Sequence, residues 1–69
     1  MANSDKLRAT MAAHGVKAFV TELSQALNCT RPTASAKLSG NVAFRDNEIA
    51  VLMKRYNMSA AEVVDVFIN

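Results

Sequence analysis

The sequence predicts an all-α fold, a compact bundle of five short helices forming a single domain over residues 1–69. Three observations predict it. Apolar residues recur at helical spacing along nearly the whole chain. Gly15, Pro32 and Gly40 punctuate that pattern where turns between short helices would fall. The third is size: the chain has 69 residues and one cysteine, so no internal disulfide can staple it. One His and one Cys cannot make a structural zinc site either. A core of this length leaves only about 3–5 kcal/mol of net stability, which must come from helix packing, a partner subunit, or both.

Each element has its own signals. Helix one is expected to open at Ser4, a good N-cap, with Asp5 favourable against the helix dipole. Leu7, Thr10, Met11 and His14 fall on its inner face, with His14 as a packing residue, and Gly15 closes it. Helix two is expected over residues 17–27, with Val16, Phe19, Val20, Leu23 and Leu27 turned inward and Asn28 at its end. Helix three spans about 30–39. Thr30 caps it, Pro32 sits in the first turn where a missing N–H costs little, and Gly40 closes it. Cys29 takes a small buried turn position.

Residues 41–45 form a loop with Val42 or Phe44 turned inward. Asp46 is placed to cap helix four, which runs to residue 57 and repeats Ile49, Leu52, Met53 and Tyr56. Met11, Met53 and Met58 read as core filler. Ser59 and Glu62 make a capping box for the last element, in which Ala60, Val63, Val64, Phe67 and Ile68 share one face. The β-branched run VVDVFI also suits a strand, so an extended C-terminal segment stays open beside the helix.

Composition narrows the class. Apolar residues make up 51% and charged residues 20%, with a net charge of +2, which is globular rather than disordered. The charge is unevenly placed. Residues 23–44 hold no Asp or Glu but include Arg31 and Lys37, whereas the tail carries Glu62 and Asp65 without a cation. No apolar run approaches the ~20 residues that cross a membrane. The first fifteen residues lack the apolar core of a secretion signal, so no membrane partner and a cytoplasmic location are expected. Asn28, Cys29 and Thr30, and likewise Asn57, Met58 and Ser59, match a glycosylation sequon. Both fall at helix starts and are read as fortuitous.

Helix three, within LNCTRPTASAKLSG, is the odd element. It offers the core only Ala34 and Leu38 beside Cys29. Arg31, Pro32, Thr33, Ser35, Ala36 and Lys37 are expected on its solvent side. A short turn joins it to helix two, the arrangement of a helix-turn-helix whose second helix enters the DNA major groove. A groove about 12 Å wide admits a helix whose outer side chains are slim or can bond to bases and phosphates. Small residues with Arg and Lys meet both conditions, and no carboxylate is present to repel phosphate.

The segment LSQALNCTRPTASAKLSG resembles the helix-turn-helix of the Cro and repressor proteins of temperate phages, within the wider xenobiotic-response-element-like family. Leu23 and Ser24, Leu27, Asn28, Cys29, Thr30, and Ser39 with Gly40 stand at the family's positions. The stretch FRDNEIAVLMKRYNMSAAEVVDVFIN resembles the helices that complete its bundle, so the likeness covers nearly the whole chain. It implies a lambda-repressor-like DNA-binding fold. Carried over, Thr30 is a helix cap and phosphate contact. Arg31, Pro32, Ser35 and Ala36 face the groove, with Thr33 beside them. Lys37, Ser39, Asn41 and Arg45 fall where the family touches backbone. Arg31 suits guanine O6 and N7. The spacing between Gly15 and Leu23 is longer than usual in the family, and its polar helix-two start has no direct counterpart; Lys17 or Thr21 stands nearest.

An enzyme is not expected. No nucleophile stands with a base, no carboxylates pair in an apolar setting, and no glycine loop cradles phosphate. Neither cofactor, metal nor small-molecule substrate is called for. The resulting expectation is a sequence-specific double-stranded DNA-binding transcriptional regulator that binds its operator as a homodimer. Val66 and Phe67 are expected at the subunit contact. The alternative is an antirepressor-like protein-interaction module on the same fold.

Overall fold

The computed structural model describes residues 4–68, and every regular element among them is helical. The order is α1 (Ser4–Ala13), α2 (Phe19–Leu27), α3 (Arg31–Ser39), α4 (Asp46–Arg55) and α5 (Ala60–Val63), which runs on into a π-helical turn, Val64–Ile68. The C-terminal segment is therefore helical, not extended.

The first four helices stop in the same way. Gly15, Asn28, Gly40 and Asn57 take left-handed φ angles of 83°, 54°, 89° and 49°. In each case the next N–H reaches back to close a Schellman turn: Val16 to Met11 O, Cys29 to Ser24 O, Asn41 to Ala36 O and Met58 to Met53 O, at 2.9–3.1 Å. Gly and Asn are the residues that tolerate this backbone, so the sequence places all four stops.

The starts are more varied. Thr30 accepts from the Thr33 N–H, with Pro32 in the first turn. Ser59 and Glu62 satisfy each other's backbone N–H groups in the expected box. Helix α4 is capped at Arg45 rather than Asp46, and the Glu48 carboxylate accepts the Arg45 N–H at 2.8 Å. Helix α2 opens at Phe19, later than expected, from Ala18, which has no side chain able to cap.

The core is formed by Leu7 and Met11 of α1, Leu23 of α2, Ala34 and Leu38 of α3, and Leu52 of α4, together with Tyr56, Met58, Val66 and Phe67. Phe19, Val20, Leu27, Ile49 and Cys29 pack around it half-buried. Of the two loop candidates Phe44 turns in, its ring edge-on to Phe67 at 5.1 Å, and Val42 stays exposed. Met53 is exposed, unlike Met11 and Met58. His14 is exposed as well; its ring lies edge-on to Tyr56 at 5.3 Å and Nδ1 is 3.0 Å from Thr10 O.

The tail requires a correction. Val66 and Phe67, expected at a subunit contact, are 3% and 6% exposed and belong to the core of the single chain. Val64 and Ile68, expected inside, point to solvent. A run of apolar residues contains two stripes of equal helical spacing. In the structure Val66 and Phe67 turn inward, Phe67 against the Phe44 ring, while Asp65 pairs with Lys6 of α1 at the half-exposed edge.

Candidate nucleic-acid interface

Helix α3 is held by one narrow edge. Ala34 and Leu38 are buried, and Lys37 lies between them on the same stripe. The opposite face presents Arg31, Pro32, Thr33, Ser35 and Ser39 exposed, with Ala36 half-buried. Residues 28–30 join α3 to α2, and the two helices pack closely on each other. Asn41 and Arg45 are exposed in the loop after α3, and Lys17 and Thr30 are exposed just ahead of α2 and α3.

Hydrogen bonds set what this face can offer. The Thr30 hydroxyl donates to Thr33 Oγ1 at 3.0 Å, so the Thr33 hydroxyl keeps its own proton to donate. Ser39 donates to Ala36 O at 3.1 Å, so its proton is committed within the helix. Arg31, Ser35 and Asn41 make no side-chain hydrogen bond with other described residues and remain available.

Lys37 departs from expectation. It is 4% exposed, and its ammonium bonds to Glu48 Oε1 at 2.6 Å and Ala43 O at 3.3 Å, beneath the Phe44 ring. A charge had suggested the solvent side. Its spacing from Ala34 puts it inside, where a carboxylate from α4 makes the position tolerable. It is removed from the set of surface contacts. Burial alone would raise the Glu48 carboxyl, but the Lys37 hydrogen bond and the Arg45 N–H hold it below its ordinary value.

Ion pairing sharpens the electrostatics. Lys6 pairs with Asp65, Arg8 with Asp5, Lys37 with Glu48 and Arg55 with Glu22. Among the described residues Lys17, Arg31, Arg45 and Lys54 take no ion pair. Three of these stand at helix starts: Lys17 just before α2, Arg31 at the first residue of α3 and Arg45 at the cap of α4. The positive end of a helix dipole disfavours a cation by about 0.3–1 kcal/mol. The same end favours an anion, and backbone N–H groups point out to receive one. At α2 those groups have no side-chain cap.

Sequence reasoning missed Glu48 and Glu22. Glu48 carried a signal, since Glu three residues after a cap is half of a capping box. Glu22 carried none, because its partners Arg55 and Tyr56 lie on α4. Among the described residues no group of three His, Cys, Asp or Glu gathers as a metal site, and no helix is long and apolar enough to cross a membrane. Comparison with protein-family models, curated proteins and solved structures finds no match to this chain.

Proposed function

We propose that this chain is a sequence-specific double-stranded DNA-binding regulator of the Cro and repressor type, with α2 and α3 as its helix-turn-helix and α3 in the major groove. The observation that carries the reading is charge placement. The cations left over by ion pairing include Lys17, Arg31 and Arg45 at the starts of α2, α3 and α4, and α3 offers a slim outer face with no acid. An unpaired cation is disfavoured at a helix start unless an anion joins it, and a phosphate backbone supplies anions in series.

In this reading Lys17, Asn41 and Arg45 take phosphates, Thr30 and Ser39 reach one only by giving up the hydroxyl bonds they make to Thr33 and Ala36 O, and the open N–H groups of α2 stand in for the missing polar helix-two start. Arg31 reads a base, Thr33 and Ser35 bond at base edges, and Pro32 and Ala36 leave room or touch a thymine methyl. Binding by two copies about 34 Å apart would match a palindromic operator. With Val66 and Phe67 in the core, the pairing surface is sought at Val64 and Ile68. The chain acts without cofactor, metal or catalysis, in the cytoplasm of a prokaryotic or phage-infected cell.

A second reading has its own observation. Ile68 is 60% exposed and Val42, Val64, Val51 and Met53 are exposed too, which favours a protein-interaction module. Amide chemical-shift titration with a random duplex of about 20 base pairs, roughly two helical turns, separates the two. Shifts at Lys17, residues 30–41 and Arg45 that fade with salt support the DNA reading. Shifts confined to the last helix, or none, favour the protein partner.

A further inference from the structure

Lys37 reaches two points of the loop between α3 and α4 and one residue of α4 beyond it. Its ammonium donates to the Ala43 carbonyl at 3.3 Å, lies 5.9 Å from the Phe44 ring centre, and bonds at 2.6 Å to Glu48 Oε1. The same Glu48 oxygen accepts the Arg45 N–H at 2.8 Å. On the other side of the loop, Asn41 N–H and Val42 N–H both donate to Ala36 O of α3, at 2.9 and 3.2 Å. Residues 41–45 are thus fastened at both ends, and the second fastening passes through one buried ion pair.

A stability role alone does not account for such a pair. Replacing a buried ion pair with well-packed apolar side chains is often neutral or stabilising. What a buried pair does supply is a single arrangement, because each partner has few alternatives once desolvated. Here the side chains of Lys37 and Glu48 are 5% and 15% exposed, and no buried side-chain polar atom among the described residues lacks a partner.

We propose that the Lys37–Glu48 pair is a positioning brace that fixes Asn41 and Arg45 relative to the outer face of α3, so that phosphate contacts and base contacts engage in one register. This rests on the DNA-binding reading. Lys37 itself touches no DNA. It acts through the loop, which carries two of the proposed phosphate contacts, while Arg31 lies at the far end of α3 and is positioned independently by Thr30 and Pro32.

The test is the double variant Lys37→Met with Glu48→Gln. Methionine keeps the buried stem, and the glutamine amide oxygen can still accept the Arg45 N–H, so the cap of α4 is retained. Two readouts are taken: amide hydrogen exchange of the free protein, and fluorescence anisotropy with a random duplex of about 20 base pairs over a salt series. The brace predicts a folded variant in which residues 41–45 exchange several-fold faster while α3 exchanges as before. It also predicts a slope of log K against log salt that is smaller by up to about 0.9, the contribution of one cationic phosphate contact, since Arg45 is charged and Asn41 is not. The fold-loss caused by Arg31→Ala should be the same in both backgrounds. A folded variant with an unchanged salt slope overturns the proposal.

Should the double variant fail to fold, Glu48→Gln alone carries the test. It is expected to move both readouts in the same direction to a smaller extent, and no change in either overturns the proposal. A wild-type chain that binds no duplex overturns the DNA reading and the positioning role together. Exchange in the free protein tells that failure from failure of the brace itself, in which residues 41–45 exchange as in wild type.

Discussion

Tyr56 donates its phenolic proton to Glu22 Oε2 at 2.9 Å, and Arg55 Nε reaches the same oxygen at 2.8 Å, so two consecutive residues at the end of α4 hold one carboxylate of α2. The hydrogen bonds from Arg55 and then Tyr56 hold the Glu22 carboxyl below its ordinary value. Burial, and next the Glu22 carboxylate, push the Tyr56 phenol up to about 12. The lowered Glu22 value means stability present above the ordinary carboxylate range and lost as pH falls through the folded value. The raised Tyr56 value means stability present below 10.0 and lost as pH rises toward about 12. Melting temperature against pH should fall at both ends, and Tyr56→Phe should flatten the alkaline fall while removing about 0.5–1.5 kcal/mol at neutral pH.

Arg31→Ala should separate binding from stability. Removing a base contact from duplex binding costs about 1–3 kcal/mol. Removing a cation from the first residue of α3 should leave the fold as stable as before or firmer by about 0.3–1 kcal/mol. Thermal melting and a DNA titration on the same sample check both signs. A variant that melts lower and binds equally well would contradict the assignment of Arg31 to the interface.

Ala18→Asp tests the open start of α2. A carboxylate at this cap should stabilise the helix by about 0.5–2 kcal/mol. It should also weaken duplex binding, most at low salt, by placing a negative charge where a phosphate is proposed. If the wild type and variant bind DNA alike across a salt series, the start of α2 lies off the interface.

Val66→Asp and Ile68→Asp should behave in opposite ways. Val66 is buried, and an unpaired carboxylate there should exceed the roughly 3–5 kcal/mol available to a chain of this size. Circular dichroism should show it unfolded. Ile68 is exposed, so its variant should fold, and sedimentation should report any loss of dimer. A folded Val66→Asp chain would place the tail elsewhere.

The helix stops were legible because each depends on one residue type at one place: Gly15, Asn28, Gly40 and Asn57 all stand in left-handed backbone. Thr30 and Ser59 were legible as caps for the same local reason. Lys37 was not, since its inward position depends on Glu48, eleven residues away on another helix. The phase of the tail was not legible because Val63, Val64, Val66, Phe67 and Ile68 offer two apolar stripes, and the core that receives one of them is built from residues far away in the chain, such as Phe44 against Phe67. The outer face of α3 was legible from the absence of large apolar residues and acids. The excess of cations at helix starts was not, because it emerges only once ion pairing has removed the others.

The four Schellman turns also bear on how the molecule folds. Each is closed by groups only a few residues apart, so each helix can stop and reverse before any distant part of the chain has arrived. A chain whose corners are decided locally has little loop-closure entropy to overcome at them, and helical domains of this kind fold in microseconds to milliseconds. The slow arrival should be the C-terminal turn, which must find Lys6 across the full length of the sequence. Truncating it would leave four correctly ended helices with no lid on their core.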